Sequence, residues 1–185
     1  MRSDLPRLAR SLGADERTFR RAVEEGLIRC RRPSPRAVDV PLSERVYLAD
    51  HWQLLSELRR ALRTERNVRL AVLYGSLARG NDAPDSDIDL LVELADDSAR
   101  ASIGLALRLE RKLGREVDVA RLAQVEPGSP LLLLVALEEG RLIVDRDGVW
   151  RRLKAGRAAL ARRADDSFDQ QLAATRAVIA ECRSA

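Results

Sequence analysis

Gly75-Ser76-Leu77-Ala78-Arg79-Gly80, followed by Ser86-Asp87-Ile88-Asp89-Leu90-Leu91-Val92, is the stretch on which the fold of this chain turns. An apolar run from Val68 to Tyr74 leads into the Gly-Ser turn, and a second run from Ile88 to Leu94 carries two carboxylates. The order reads as strand, turn, strand. Side chains alternate along a strand, so Asp87 and Asp89 project from one face with Cα atoms about 6.5–7 Å apart, while Ile88, Leu90 and Val92 face the other way. Gly75 lets backbone amides approach a phosphate, Ser76 adds a hydroxyl, and a helix beginning near Leu77 aims its positive end at the same place. Asn81 to Ser86, with Pro84, reads as a polar connection.

A phosphate cradle next to a carboxylate pair is what transfer of a nucleotidyl group requires. The charge of a nucleoside triphosphate must be neutralised before a hydroxyl can attack its α-phosphorus, and two magnesium ions held by such carboxylates do that. A third carboxylate is expected on a neighbouring strand. Glu116-Val117-Asp118-Val119-Ala120 is short, alternating and β-branched, and it follows a helical segment from Asp97 to Leu113 that stops at Gly114. Asp118 is the candidate and Glu116, on the same face, its rival; the apolar neighbours Val117 and Val119 predict that Asp118 is the more buried. A lone Asp-x-Asp is ordinarily a strand edge or a solvated turn, and a lone Gly-Ser carries little signal. The chemistry is read from their order, with the third acid downstream.

These residues resemble the minimal nucleotidyltransferases of the DNA polymerase β-like superfamily. The resemblance rests on Gly75-Ser76 with Ala78-Arg79-Gly80, on Ser86 to Val92, and on Val117-Asp118-Val119, and it covers roughly Val68 to Asp145. It implies magnesium-dependent transfer of a nucleoside monophosphate, commonly AMP from ATP, to a hydroxyl. By position, Gly75, Ser76 and Arg79 hold the triphosphate, Asp87 and Asp89 bind metal, and Asp118 completes the metal site or orients the attacking hydroxyl. Many members of the family are antitoxins that adenylylate a HEPN-type RNase toxin, so the implied partner is a protein, a toxin encoded nearby.

Composition agrees with a compact protein of 185 residues, 45% hydrophobic. No apolar run approaches membrane-spanning length, and arginines interrupt every apolar stretch of the first 30 residues, so the expectation is a cytoplasmic protein with neither membrane span nor signal peptide. Cys30 and Cys182 lie far apart and the chain has one histidine, which supports neither a disulfide framework nor a zinc site. Trp52 and Trp150 stand apart from other aromatics, so no stacking platform for single-stranded nucleic acid is expected.

The basic excess is local. Residues 1–40 hold ten arginines against six acidic residues, the same +4 as the entire chain. Leu5 to Gly13 reads as a short helix with a glycine stop, and Asp15 caps a second helix running through Glu24. The pair resembles a helix-turn-helix, with Leu8, Ala9, Leu12 and Phe19 between the helices. Thr18, Arg20 and Arg21 would face promoter DNA, and the stretch Arg29, Arg31, Arg32 and Arg36 would form a wing or basic arm. A helix from about Ser43 to Arg66 connects this segment, residues 1–40, to the nucleotidyltransferase core, residues 67–147. Its stripe of Leu48, Trp52, Leu55 and Leu62 packs on the sheet, with Arg59, Arg60 and Arg63 mostly on other faces. His51, with no acidic cluster beside it, reads as a helix-edge residue.

Past Asp118 the pattern continues as a helix from Pro130 to Glu139 and a strand from Arg141 to Asp145. Residues 148–185 form a helical extension: one helix from about Val149 to Arg163, and another opening at Ser167-Phe168-Asp169-Gln170, with Phe168, Leu172, Thr175, Ile179 and Cys182 on one side. The expected fold is thus α/β (α+β), a polymerase β-like sheet flanked by helices, with an N-terminal helix-turn-helix and C-terminal helices. Two other functions fit the same residues: a DNA-binding regulator that senses nucleotide, and a nucleotidyltransferase acting on a small-molecule antibiotic.

Overall fold

The computed structural model describes residues 5–34 and 37–166; Arg36 and the helix expected from Ser167 onward lie outside them. The chain opens with α1 (Leu5–Ser11) and α2 (Glu16–Glu25), which are separated by a turn containing Gly13 at φ +63°. Asp15 caps α2 by accepting the Thr18 N–H at 2.9 Å. A small antiparallel hairpin follows, β1 (Arg31–Ser34) and β2 (Ala37–Asp39), with β1 fully exposed. The 23-residue α3 (Leu42–Thr64) then leads to the sheet.

Four strands form that sheet: β3 (Val68–Leu73), β4 (Ile88–Leu94), β5 (Val117–Arg121) and β6 (Arg141–Asp145), in the order β5-β4-β3-β6. The short α4 (Gly75–Arg79) and a loop join β3 to β4, which are antiparallel. β4 and β5 run parallel, so the chain must cross over the sheet between them, and α5 (Ala99–Leu113) makes that crossing. Its start is set by Ser98, whose hydroxyl accepts the Ala101 N–H at 3.2 Å, and its end by Gly114 at φ +67°. β6 returns antiparallel to β3 at the open side.

Alternation divides the sheet into two faces. Ala71, Leu73, Ile88, Leu90, Val92 and Ile143 belong to a core shared with α3, α5 and the N-terminal helices. Leu70, Val72 and Leu91 belong to a second core shared with α6 (Leu122–Gly128), α7 (Pro130–Glu139) and α8 (Val149–Ala155). The predicted stripe of α3 is buried as expected, and Trp52 also meets Phe19 of α2, ring centroids 5.1 Å apart.

Three details depart from the sequence reading. α6 was not foreseen, and it contains Pro127 near its end. The helix expected from Val149 to Arg163 is interrupted at Gly156, with helical residues resuming at 157–166. Arg59 turns inward, only 6% exposed, and pairs with Glu25 of α2 instead of lying on an outer face. Among the described residues no helix is long and apolar enough to cross a membrane.

Candidate active site

β3 delivers the chain to Tyr74, whose N–H donates to the Asp89 carbonyl at 3.0 Å, so the start of the turn is stitched to β4. Gly75 then takes φ +74°, in the left-handed region, and a Cβ added there would overlap the Asp89 carboxylate. Conformation and close approach both demand glycine. The turn closes as Gly80, at φ +82°, and Asn81 both donate to the Ser76 carbonyl, at 2.9 and 3.2 Å. Gly75 and Ser76 are half-buried, and Arg79 is exposed.

The carboxylates come from two strands. Asp87 precedes β4 and Asp89 is its second residue; the parallel register sets Asp89 directly against Asp118 of β5. Asp89 is half-buried and Asp87 and Asp118 are exposed. The Asp89 carboxyl is held above the usual aspartate range, by burial first, then by the negative charges of Asp118 and Asp87, with Arg79 opposing them. The neighbouring Tyr74 phenol is pushed up to about 12 by burial, and then by the charges of Asp89 and Asp118. Asp118 and Glu116 are both exposed, so neither is set apart as a buried carboxylate. Register, rather than burial, singles out Asp118.

Among the described residues no group of three or more His, Cys, Asp or Glu side chains stands gathered as a finished metal site. The donors nevertheless suit magnesium: they are hard carboxylate oxygens, and their mutual repulsion at Asp89 is what a divalent cation relieves. Arg79 reaches the Glu139 carboxylate at the end of α7, 2.9 Å away. In the N-terminal helices, Thr18, Arg20 and Arg21 are exposed; Arg20 pairs with Glu16 and Arg21 with Glu25, each at 2.7 Å.

His51 is not the isolated residue that the sequence suggested. Its Nε2 lies 2.8 Å from Asp82 Oδ1, and its Nδ1 lies 2.8 Å from the Tyr47 carbonyl. Sequence reasoning also missed the layer that supports the turn: Glu44 and Tyr47 of α3 and Arg141 of β6, all buried. One signal was available, because Glu44 stands four residues before Leu48 in the apolar stripe, where a carboxylate must find a buried partner.

Residues 56–148 match the family model described as Polymerase beta, Nucleotidyltransferase. An inferred protein adenylyltransferase of Methanocaldococcus jannaschii is 36% identical over 64 residues, which span 34% of this chain and 69% of that protein. Among solved structures, a toxin–antitoxin complex with AMP-PNP aligns with a TM-score of 0.48 at 24% identity, covering 71% of this chain and 98% of the matched chain. A complex of tri-AMPylated Shewanella oneidensis HEPN toxin with its MNT antitoxin aligns with a TM-score of 0.44 at 24% identity, covering 72% and 98%.

Proposed function

The chain belongs to the polymerase beta nucleotidyltransferase family, and from that premise we propose that it transfers AMP from ATP to a hydroxyl of a partner protein. The observation that carries this reading is the in-register pairing of Asp89 with Asp118, beside a Gly75-Ser76 turn packed against the Asp89 carboxylate. The choice of a protein acceptor follows the 36% identical relative, an inferred protein adenylyltransferase.

In this reading Gly75 and Ser76 bind the triphosphate through backbone amides and the hydroxyl, and Arg79 leaves Glu139 to meet phosphate charge. Asp87, Asp89 and Asp118 would hold magnesium, which supplies neutralisation of the triphosphate and activation of the attacking oxygen. Asp118, exposed at the end of the pair, orients the acceptor hydroxyl. That oxygen bonds to the α-phosphorus, the bond to pyrophosphate breaks, and the hydroxyl proton passes to solvent. The first partner to test is a toxin encoded nearby. The exposed face of α2 and the hairpin β1–β2 would contact promoter DNA.

The experiment is intact-mass spectrometry of a co-purified partner incubated with ATP and magnesium. One or more AMP additions that vanish with the Asp89→Asn enzyme are expected. Nucleotide binding with no pyrophosphate release would favour a sensor, and modification of a small molecule alone would overturn the protein acceptor.

A further inference from the structure

α4 is five residues long, and the two amides that follow it, those of Gly80 and Asn81, both donate to the Ser76 carbonyl. The carbonyls of Leu77 and Ala78 must therefore be satisfied from outside the helix. Two buried side chains do this. Tyr47 donates its hydroxyl to Leu77 O at 3.1 Å, and Arg141 donates Nε to Ala78 O at 2.9 Å.

Neither donor has much freedom. Arg141, 1% exposed, is bound to both oxygens of Glu44, at 2.6 and 3.0 Å, and also reaches Leu27 O at 3.4 Å. Its guanidinium lies 3.5 Å from the centroid of the Tyr47 ring, and the His51 ring stacks parallel to that ring at 4.3 Å. From His51 the column continues to Asp82, in the loop that ends at Asp87. Gly80 completes the fit, since a Cβ there would come within 2.7 Å of the Tyr47 ring.

We propose that Tyr47 and Arg141 are positioning residues for nucleotide binding: by holding the Leu77 and Ala78 carbonyls of α4, they fix the Gly75-Ser76 turn against Asp89. The inference rests on the nucleotide-binding reading of that turn. It assigns to α3 and β6 a part in substrate affinity that neither residue could play by contact with substrate. Removing one brace lets the turn sample positions in which its amides no longer converge, and the binding-competent fraction falls.

The test is the dissociation constant of a fluorescent ATP analogue with magnesium, measured for the full chain alongside amide hydrogen exchange. Tyr47→Phe keeps the ring beneath Arg141 and beside His51 and removes only the hydroxyl. The constant is expected to rise about fivefold, the loss of one hydrogen bond. Exchange should accelerate over residues 75–80 and stay unchanged over β3 and β4. Arg141→Lys keeps a positive charge opposite Glu44 but cannot serve both the carboxylate and Ala78 O, and it should move the constant in the same direction. Failure of the wild-type protein to bind the analogue overturns the nucleotide reading and the brace with it. Wild-type binding with an unchanged constant in either folded variant overturns the brace alone, as does accelerated exchange spread over the whole sheet.

Discussion

Asp89 carries conflicting demands: burial and two neighbouring carboxylates oppose its charge, while the proposed chemistry uses that charge. The conflict has a sign that can be measured. Its folded-state pKa lies above the unfolded value, so the folded protein binds the extra proton at low pH. The associated stability is complete below the ordinary aspartate value of 3.8 and is lost as pH rises through the elevated folded value. Denaturant midpoints of wild type and Asp89→Asn, compared across that range without metal, should therefore shift against wild type as pH rises. Magnesium should reduce or reverse the trend, and transfer should be abolished in the variant throughout. A difference that moves the other way without metal would mean that Asp89 is not crowded by Asp87 and Asp118. Much of this site was legible in sequence, because alternation and the Gly-Ser turn are local signals. The strand that carries Asp118 is legible locally, but its position opposite Asp89 is not, since the register of a parallel pair is fixed by a crossover that no short window contains.

At the scale of elements, α3 is the spine: its one apolar stripe serves both the sheet and the N-terminal helices. The spans of α5, α7 and β6 follow from caps, glycine stops and periodicity, and the sequence reading located them closely. α6 carries no clear helical signal, because Pro127 and Gly128 disfavour helix, and the interruption at Gly156 is masked by apolar spacing that continues across it. Arg59 was misplaced because an arginine on a helix reads as solvated unless its acid, here Glu25 of another helix, is already in view. On the outer face of α2, Arg20 pairs with Glu16 and Arg21 with Glu25, so a DNA phosphate must compete with those carboxylates. Binding to a promoter duplex, followed by fluorescence anisotropy, is expected to weaken steeply with salt. Arg20→Ala and Arg21→Ala should each flatten the logarithmic salt slope by about one. Slopes unchanged in both variants would give the helix pair another role.

For the whole molecule, the decisive contact is Glu44 with Arg141, buried at 4% and 1% exposure and joining α3 to β6. Cutting it at one end leaves a buried guanidinium without its counter-charge. Glu44→Ala is expected to cost about 3–5 kcal/mol in urea unfolding, far more than an exposed pair such as Arg20 with Glu16. A loss below about 1 kcal/mol would show that water or another acceptor takes over Arg141. The sequence could not display this pair, because its members are 97 residues apart and each is common on surfaces.

That separation also orders events during synthesis. The first two helices, α3 and the Gly75-Ser76 turn all leave the ribosome before Arg141 does. Until it arrives, Glu44 has no buried counter-charge, Ala78 O has only the longer hydrogen bond from Arg29 at 3.4 Å, and β3 lacks the strand on its open side. A chain cut short before β6 therefore carries every proposed catalytic residue and still lacks the contact proposed to seat them, so the nucleotide binding proposed here waits on the synthesis of β6.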